Sequence, residues 1–95
     1  MEPLTLPVEL NIYAVATLRP AWLAWLEAIS ASGADGAEVL AADVAEVDGA
    51  GLQMLLALQR SMGDRRLRMS LRDPSPALRA ACDGIGLDGG LGGRT

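Results

Sequence analysis

The chain has 95 residues, enough for one domain, and 51% of them are hydrophobic, so a buried core is expected. It contains no His and one Cys, which removes the commonest general base and metal ligand and leaves no partner for an internal disulfide. The net charge of −4 argues against nucleic-acid binding. No apolar stretch approaches the ~20 residues of a membrane span, and no secretory signal is visible, so a cytoplasmic location without membrane insertion is expected.

The first half of the chain predicts a strand, a helix and a second strand. Residues 4–10 alternate apolar and polar side chains, and Pro7 among them favours an edge strand or a bulge. Residues 11–16 are expected to form a turn. One helical face follows, with Pro20 expected near the start of the helix, where a missing amide costs little. That face consists of Leu18, Trp22, Trp25, Leu26 and Ile29. A loop over residues 32–36 leads into an apolar run at 39–42, typical of a central strand.

The second half predicts a helix, a strand and a helix. A wide apolar arc predicts a helix over residues 49–62, and clean alternation predicts a strand over 67–72 with Leu67, Met69 and Leu71 facing inward. Ser75, between two prolines, is expected to start the last helix. The buried stripe of that helix would be Leu78, Ala81, Cys82 and Ile85. We expect one domain over residues 1–95, with an ordered core at about 4–87 and a flexible glycine-rich tail at 88–95.

The most informative segment joins the second strand to the second helix. It reads Val47-Asp48-Gly49-Ala50-Gly51-Leu52. The carboxylate of Asp48 is suited to accept hydrogen bonds from the free amides of the first helical turn, and the glycines permit a sharp turn with little bulk. A strand is therefore expected to end at Asp48, with a helix beginning immediately after it.

This segment resembles the signature of the STAS family, found in anti-sigma factor antagonists and in sulfate-transporter tails. The family typically reads hydrophobic-Asp-Ser/Thr-Ser/Ala/Gly-Gly-Leu between a strand and a helix, and Asp48, Gly51 and Leu52 match it. The alternation of strands and helices agrees with this resemblance. It implies an α/β fold of the STAS type, with a mixed sheet and helices packed mainly on one face.

The resemblance implies a non-catalytic protein–protein interaction module without a cofactor. In the family's antagonists the Ser or Thr of this turn is phosphorylated, but Gly49 and Ala50 occupy those positions here, so that switch is absent. The partner classes implied are a kinase-like anti-sigma factor, the ATPase of a phospholipid-trafficking ABC transporter, or a chemotaxis protein. A homodimer is also possible.

The predicted contact surface is this turn, the start of the following helix and the acidic loop before it. Its residues are Glu46, Asp48, Gly49, Ala50, Gly51, Leu52, Met54 and Leu58. Asp43, Glu46 and Asp48 are interpreted as an acidic rim that attracts a basic partner rather than as a metal site. A different kind of function stays open, in which the protein binds a nucleotide or another small anion at the free amides that start the second helix.

Overall fold

The computed structural model describes residues 2–84. Five strands and three helices follow one another along this part of the chain. They are β1 (Leu4–Thr5), β2 (Glu9–Leu10), α1 (Ile12–Ser32), β3 (Gly36–Leu40), β4 (Glu46–Val47), α2 (Gly49–Asp64), β5 (Arg68–Arg72) and α3 (Pro76–Gly84). The tail predicted to be flexible, and Ile85 of the predicted stripe, lie outside the described residues.

The strands form two small parallel sheets. One has the order β1-β3-β5, and the other pairs β2 with β4. In the first sheet β3 is central and pairs with β5 over five residues, from Gly36 opposite Arg68 to Leu40 opposite Arg72. The α/β class and the STAS-type fold are therefore confirmed. A mixed sheet was expected, whereas all three pairings among residues 2–84 are parallel. Each pair joins two strands that have a helix between them in the chain, α1 or α2, as a parallel crossover requires.

The predicted single strand over residues 4–10 is wrong in detail, because it is divided between the two sheets. Leu4 pairs with Val39 in one sheet, and Leu10 pairs with Val47 in the other. Pro7 lies between the two strands and has no N–H to donate, so the backbone hydrogen bonding between strands is interrupted there. The edge strand or bulge predicted from Pro7 anticipated this kind of irregularity. The whole segment nevertheless follows residues 39–48 side by side, since the Val8 carbonyl accepts from the Ala45 amide at 2.8 Å.

Helix α1 starts earlier than predicted. Residues 12–16 are helical rather than a turn, and Pro20 lies eight residues after Ile12, well inside the helix. Asn11 is the N-cap, and its Oδ1 accepts from the amides of Tyr13 and Ala14, each at 3.1 Å. A capping Asn before an apolar residue signals the start at Asn11, whereas Pro20 signals a later start, since proline favours the first turn of a helix. The helix ends as predicted, with Gly33 in the left-handed conformation at φ 78°.

The later elements follow the predictions closely. Helix α2 begins at Gly49 and continues two residues beyond Met62, and β3 lies slightly earlier than the predicted 39–42. On β5 the predicted inward residues Leu67, Met69 and Leu71 are buried. Ser75 is buried and its Oγ accepts from the Leu78 amide at 3.1 Å, which confirms that it starts α3.

The core lies between the helices and the sheets. Trp22 is 4% exposed, whereas Trp25 is half-buried and donates from Nε1 to the Glu2 carbonyl at 3.0 Å. The buried apolar residues come from every helix and from most strands. They are Leu6, Leu10, Trp22, Leu26, Ile29, Val39, Ala41, Val44, Leu52, Leu55, Leu58, Met62, Leu67, Met69, Leu71, Leu78 and Cys82. Across residues 2–84, none of the helices combines the length and the hydropathy that crossing a bilayer needs.

Candidate partner-docking site

Asp48 holds the N-termini of two helices together. Its Oδ1 accepts from the Gly51 amide of α2 at 2.9 Å, and its Oδ2 accepts from the Ile12 amide of α1, also at 2.9 Å. The first four amides of a helix have no partner within the helix, so both bonds satisfy groups that need one. The sequence predicted the cap on α2 but gave no sign of the second bond, which joins residues 36 positions apart.

A second link lies beside the first. Asn11 caps α1 with its Oδ1 and donates from Nδ2 to Glu46 Oε2 at 2.8 Å. The Asp48 amide in turn donates to the Leu10 carbonyl at 3.2 Å, which fixes the turn against β2. Two carboxylates and one amide side chain therefore hold both helix starts at one end of the molecule.

The helices are parallel and lie side by side along their length. At their far ends Arg65, which follows α2, approaches Glu27 of α1 with 3.8 Å between Nη2 and Oε2. Nearly the same number of residues separates Ile12 from Glu27 on α1 and Gly49 from Arg65 on α2. Both helix axes therefore advance by ~23 Å between the joined starts and this ion pair. This exposed ion pair adds little stability, but its position shows that the two helices run in the same direction.

Asp48 is ionised at the N-terminal end of this pair. The hydrogen bonds from the Gly51 and Ile12 amides lower the pKa of its carboxyl group below the ordinary value of 3.8. The two helix dipoles, whose positive ends meet here, favour the same charged form. At neutral pH a negative charge therefore lies where an anion bound at the start of α2 would have to sit. This geometry counts against the nucleotide-binding reading.

The predicted contact residues divide into exposed and buried groups. Gly49 is exposed, and a Cβ added there would meet nothing within 4 Å. Glu46 is also exposed, and Asp48, Ala50 and Met54 are half-buried. Gly51, Leu52 and Leu58 are buried in the core. The first group can meet a partner directly, whereas the second supports the surface from below.

Gly51 has a structural reason to lack a side chain. A Cβ at this position would overlap the Leu10 carbonyl oxygen and lie 2.6 Å from the Leu10 carbonyl carbon. Helix α2 therefore crosses β2 at a distance that only glycine permits. Its role is close packing within the molecule, whereas a side chain at Gly49 would have open space around it.

An apolar groove of about 480 Å³ runs between α1 and α2 beyond the turn. It is lined from α1 by Val15, Arg19, Trp22, Leu23 and Leu26, and from α2 by Ala50, Gln53, Met54, Ala57, Leu58 and Ser61. We call it the α1–α2 groove. Leu23 on its rim is 50% exposed, and Ile12 and Tyr13 at the start of α1 are 57% and 89% exposed.

Sequence reasoning missed the contribution of α1 to this surface. Ile12 and Leu23 are eleven residues apart, three turns of helix, so they lie on the same side of α1. Arg19 shares that side. This spacing is visible in the sequence, but the turn predicted over residues 11–16 places Ile12 outside the helix.

Other candidate chemistry finds little support in the described part of the chain. Asp43, predicted to join the acidic rim, is exposed in the loop before β4. No three His, Cys, Asp or Glu side chains within residues 2–84 are grouped so that they could hold a metal ion. Cys82 is buried on α3.

Comparison with known proteins gives one family. The family model described as "Mlab, STAS domain" matches residues 4–93. Comparison with the curated proteins and with the solved structures gives no significant match. The match covers almost the whole chain, and the Asp48–Leu52 turn, the parallel sheets and the crossover helices agree with it, so the chain belongs to the STAS domain family.

Proposed function

We propose that the protein is a non-catalytic interaction module that regulates a protein partner by docking through the joined starts of α1 and α2. The observation that carries the proposal is the exposure of Ile12 and Tyr13 beside the turn capped by Asp48. Large exposed apolar side chains next to fixed charges are typical of protein-contact surfaces. Met54 and Ala50 continue the apolar surface onto α2.

The acidic rim supports a partner with a basic contact surface. Glu9 and Glu46 lie opposite each other in the register of β2 and β4, and Asp48 follows directly. Like charges on neighbouring strands repel, so cations from a partner would relieve this repulsion and speed the encounter.

Among the three partner classes, we propose the ATPase of a lipid-transport ABC system first. The description of the matching family model, "Mlab, STAS domain", names neither an anti-sigma factor nor a chemotaxis protein. The lack of a hydroxyl at Gly49 and Ala50 agrees with a partner that is bound continuously, without phosphorylation of the turn. On this proposal the protein acts in the cytoplasm.

The sharpest test adds a charge at Gly49, the position of the family's phosphorylated residue. Gly49→Glu places an acid in the first turn of α2, where it favours the helix and meets no atom within 4 Å. Ala24→Glu is the matched control, since Ala24 is exposed on α1 and does not line the groove. Binding is measured by calorimetry against the ATPase, anti-sigma factor or chemotaxis protein encoded beside the gene.

We expect Gly49→Glu to weaken binding at least tenfold, because the new side chain fills the open space in which a partner would approach the backbone, and this steric effect outweighs the attraction of one added acid for a basic partner. Ala24→Glu should leave binding unchanged, and circular dichroism should show both variants folded. Met54→Arg should weaken binding similarly, and Asp48→Lys should do so at some cost in stability. Full-strength binding by Gly49→Glu and Met54→Arg would place the contact on another face and refute the proposal.

A further inference from the structure

We infer that the α1–α2 groove receives an amphipathic α-helix of the protein partner, and that this helix carries an acidic residue opposite Arg19. The inference rests on the proposed function and names the chemistry of the partner segment. Most of the lining of the groove is apolar, and Leu23 on its rim is half-exposed, with no covering residue among those described. Burying such a rim needs apolar side chains from outside residues 2–84.

The dimensions of the groove fit a helix. From Ala50 to Ser61 the α2 wall advances ~17 Å, which is the length of about three helical turns. Ala50, Ala57 and Ser61 recur at helical spacing along that wall and are small, so a third helix can approach closely. Side chains of a helix at positions i, i+4 and i+7 would enter the space above Trp22 and Leu58.

The backbone of the groove walls excludes an extended peptide, which is the main alternative to a helix. An extended peptide binds by adding a strand to an open sheet edge, where free amides and carbonyls await a partner. The walls here are the middle turns of α1 and α2, whose backbone groups bond within each helix except at Pro20, which has no N–H to donate. A partner helix brings its own backbone bonds already satisfied, so only side chains have to fit.

Charge defines the register of the incoming helix. Among residues 2–84, Arg19 is the only charged residue that lines the groove, and it makes no hydrogen bond or ion pair with the others. Asp48 and Glu46 lie at the level of Ile12, seven residues earlier, or ~10 Å along α1. A complementary helix therefore carries an acidic residue facing Arg19 and, about seven residues away, a basic residue facing Asp48 and Glu46.

The test selects binders from a displayed library of amphipathic helices. Each member has about five turns, with Leu fixed at i, i+4, i+7 and i+11 and the remaining positions random. The full-length chain is the target, and its variants are Ala57→Arg, which fills the groove, and Ala24→Arg, a matched control outside it. Both alanines are exposed, so folding should be unaffected.

We expect the enriched peptides to pair an acidic residue with a basic one seven positions away. Ala57→Arg should weaken their binding at least tenfold, and Ala24→Arg should not. Arg19→Glu should weaken binding about tenfold, and exchanging the acid of the peptide for Arg should restore it.

Three results would overturn the inference. They are the absence of enriched peptides, equal binding to Ala57→Arg, and indifference to the charge at position 19. Self-association of the protein that Ala57→Arg abolishes would assign the groove to a second copy and would also overturn it. If a natural partner is lost with Gly49→Glu but kept with Ala57→Arg, the proposed function stands and this inference fails.

Discussion

Replacing Gly51 by Ala is the most direct test of how α2 is placed on β2. In an ordinary helix the change from Gly to Ala stabilises by about 1 kcal/mol, because Ala restricts the unfolded chain and favours the helix. At Gly51 the new Cβ would overlap the Leu10 carbonyl oxygen and lie 2.9 Å from Leu10 Cγ. The obstacle is backbone, which cannot rotate away as a side chain can.

The expected result is a net destabilisation. Overpacking of this kind costs about 1–3 kcal/mol, and the backbone contact puts Gly51→Ala at the upper end of that range. After the gain in helix propensity, the free energy of unfolding should fall by about 2 kcal/mol, and the melting temperature by about 10 °C for a domain of this size.

Gly63→Ala supplies the matched control in the same helix. A Cβ at Gly63 meets nothing within 4 Å, so this variant should gain about 0.5–1 kcal/mol. Urea denaturation followed by circular dichroism measures both variants at one temperature. If Gly51→Ala were as stable as Gly63→Ala, α2 and β2 could not be as close as the structure has them, and the explanation of Gly51 would be wrong.

Three further predictions concern the caps and the core. Asn11→Ala should lower the free energy of unfolding by about 1 kcal/mol in urea denaturation, because it removes the α1 cap and the bond to Glu46; an unchanged midpoint would contradict the capping role. The pKa of Asp48 is lowered on folding, so its stabilising contribution is complete above the unfolded value near 3.8 and is lost as the pH falls through the lower folded value. Asp48→Asn should therefore flatten this part of the acid-unfolding curve, and a curve identical to that of the wild type would show that another carboxyl dominates. Leu55→Ala should cost about 2–5 kcal/mol, because Leu55 is fully buried, whereas Leu23→Ala should cost less than 1 kcal/mol; similar losses for both would mean that Leu23 is covered.

Local patterns in the sequence are sufficient for much of the fold. Alternation over residues 67–72 predicts which side chains of β5 face inward, since successive side chains on a strand point to opposite faces. The Asp48 cap and the following glycine predict the start of α2, because unpaired amides at a helix start need a local acceptor. These features depend on neighbours in the chain and can be read without the tertiary structure.

The candidate site depends on contacts that the sequence does not display. The Oδ2 of Asp48 reaches Ile12, and Asn11 reaches Glu46, across 36 and 35 positions of the chain. The turn assumed over residues 11–16 failed for this reason: Pro20 is a strong local signal, but the bonds from Asn11 and Asp48 fix the true start of α1 earlier.

The sequence by itself determined the family, the α/β class, the start of α2 and the absence of a hydroxyl in its first turn. Only the tertiary structure decided that α1 and α2 are parallel with joined N-termini, that Leu58 is buried, and that an apolar groove with Arg19 on its wall lies between the helices. The physical reason is that a hydrogen-bond acceptor or an apolar side chain has the same local pattern whether a distant element covers it or not. Burial and long-range bonding are fixed only when the elements pack.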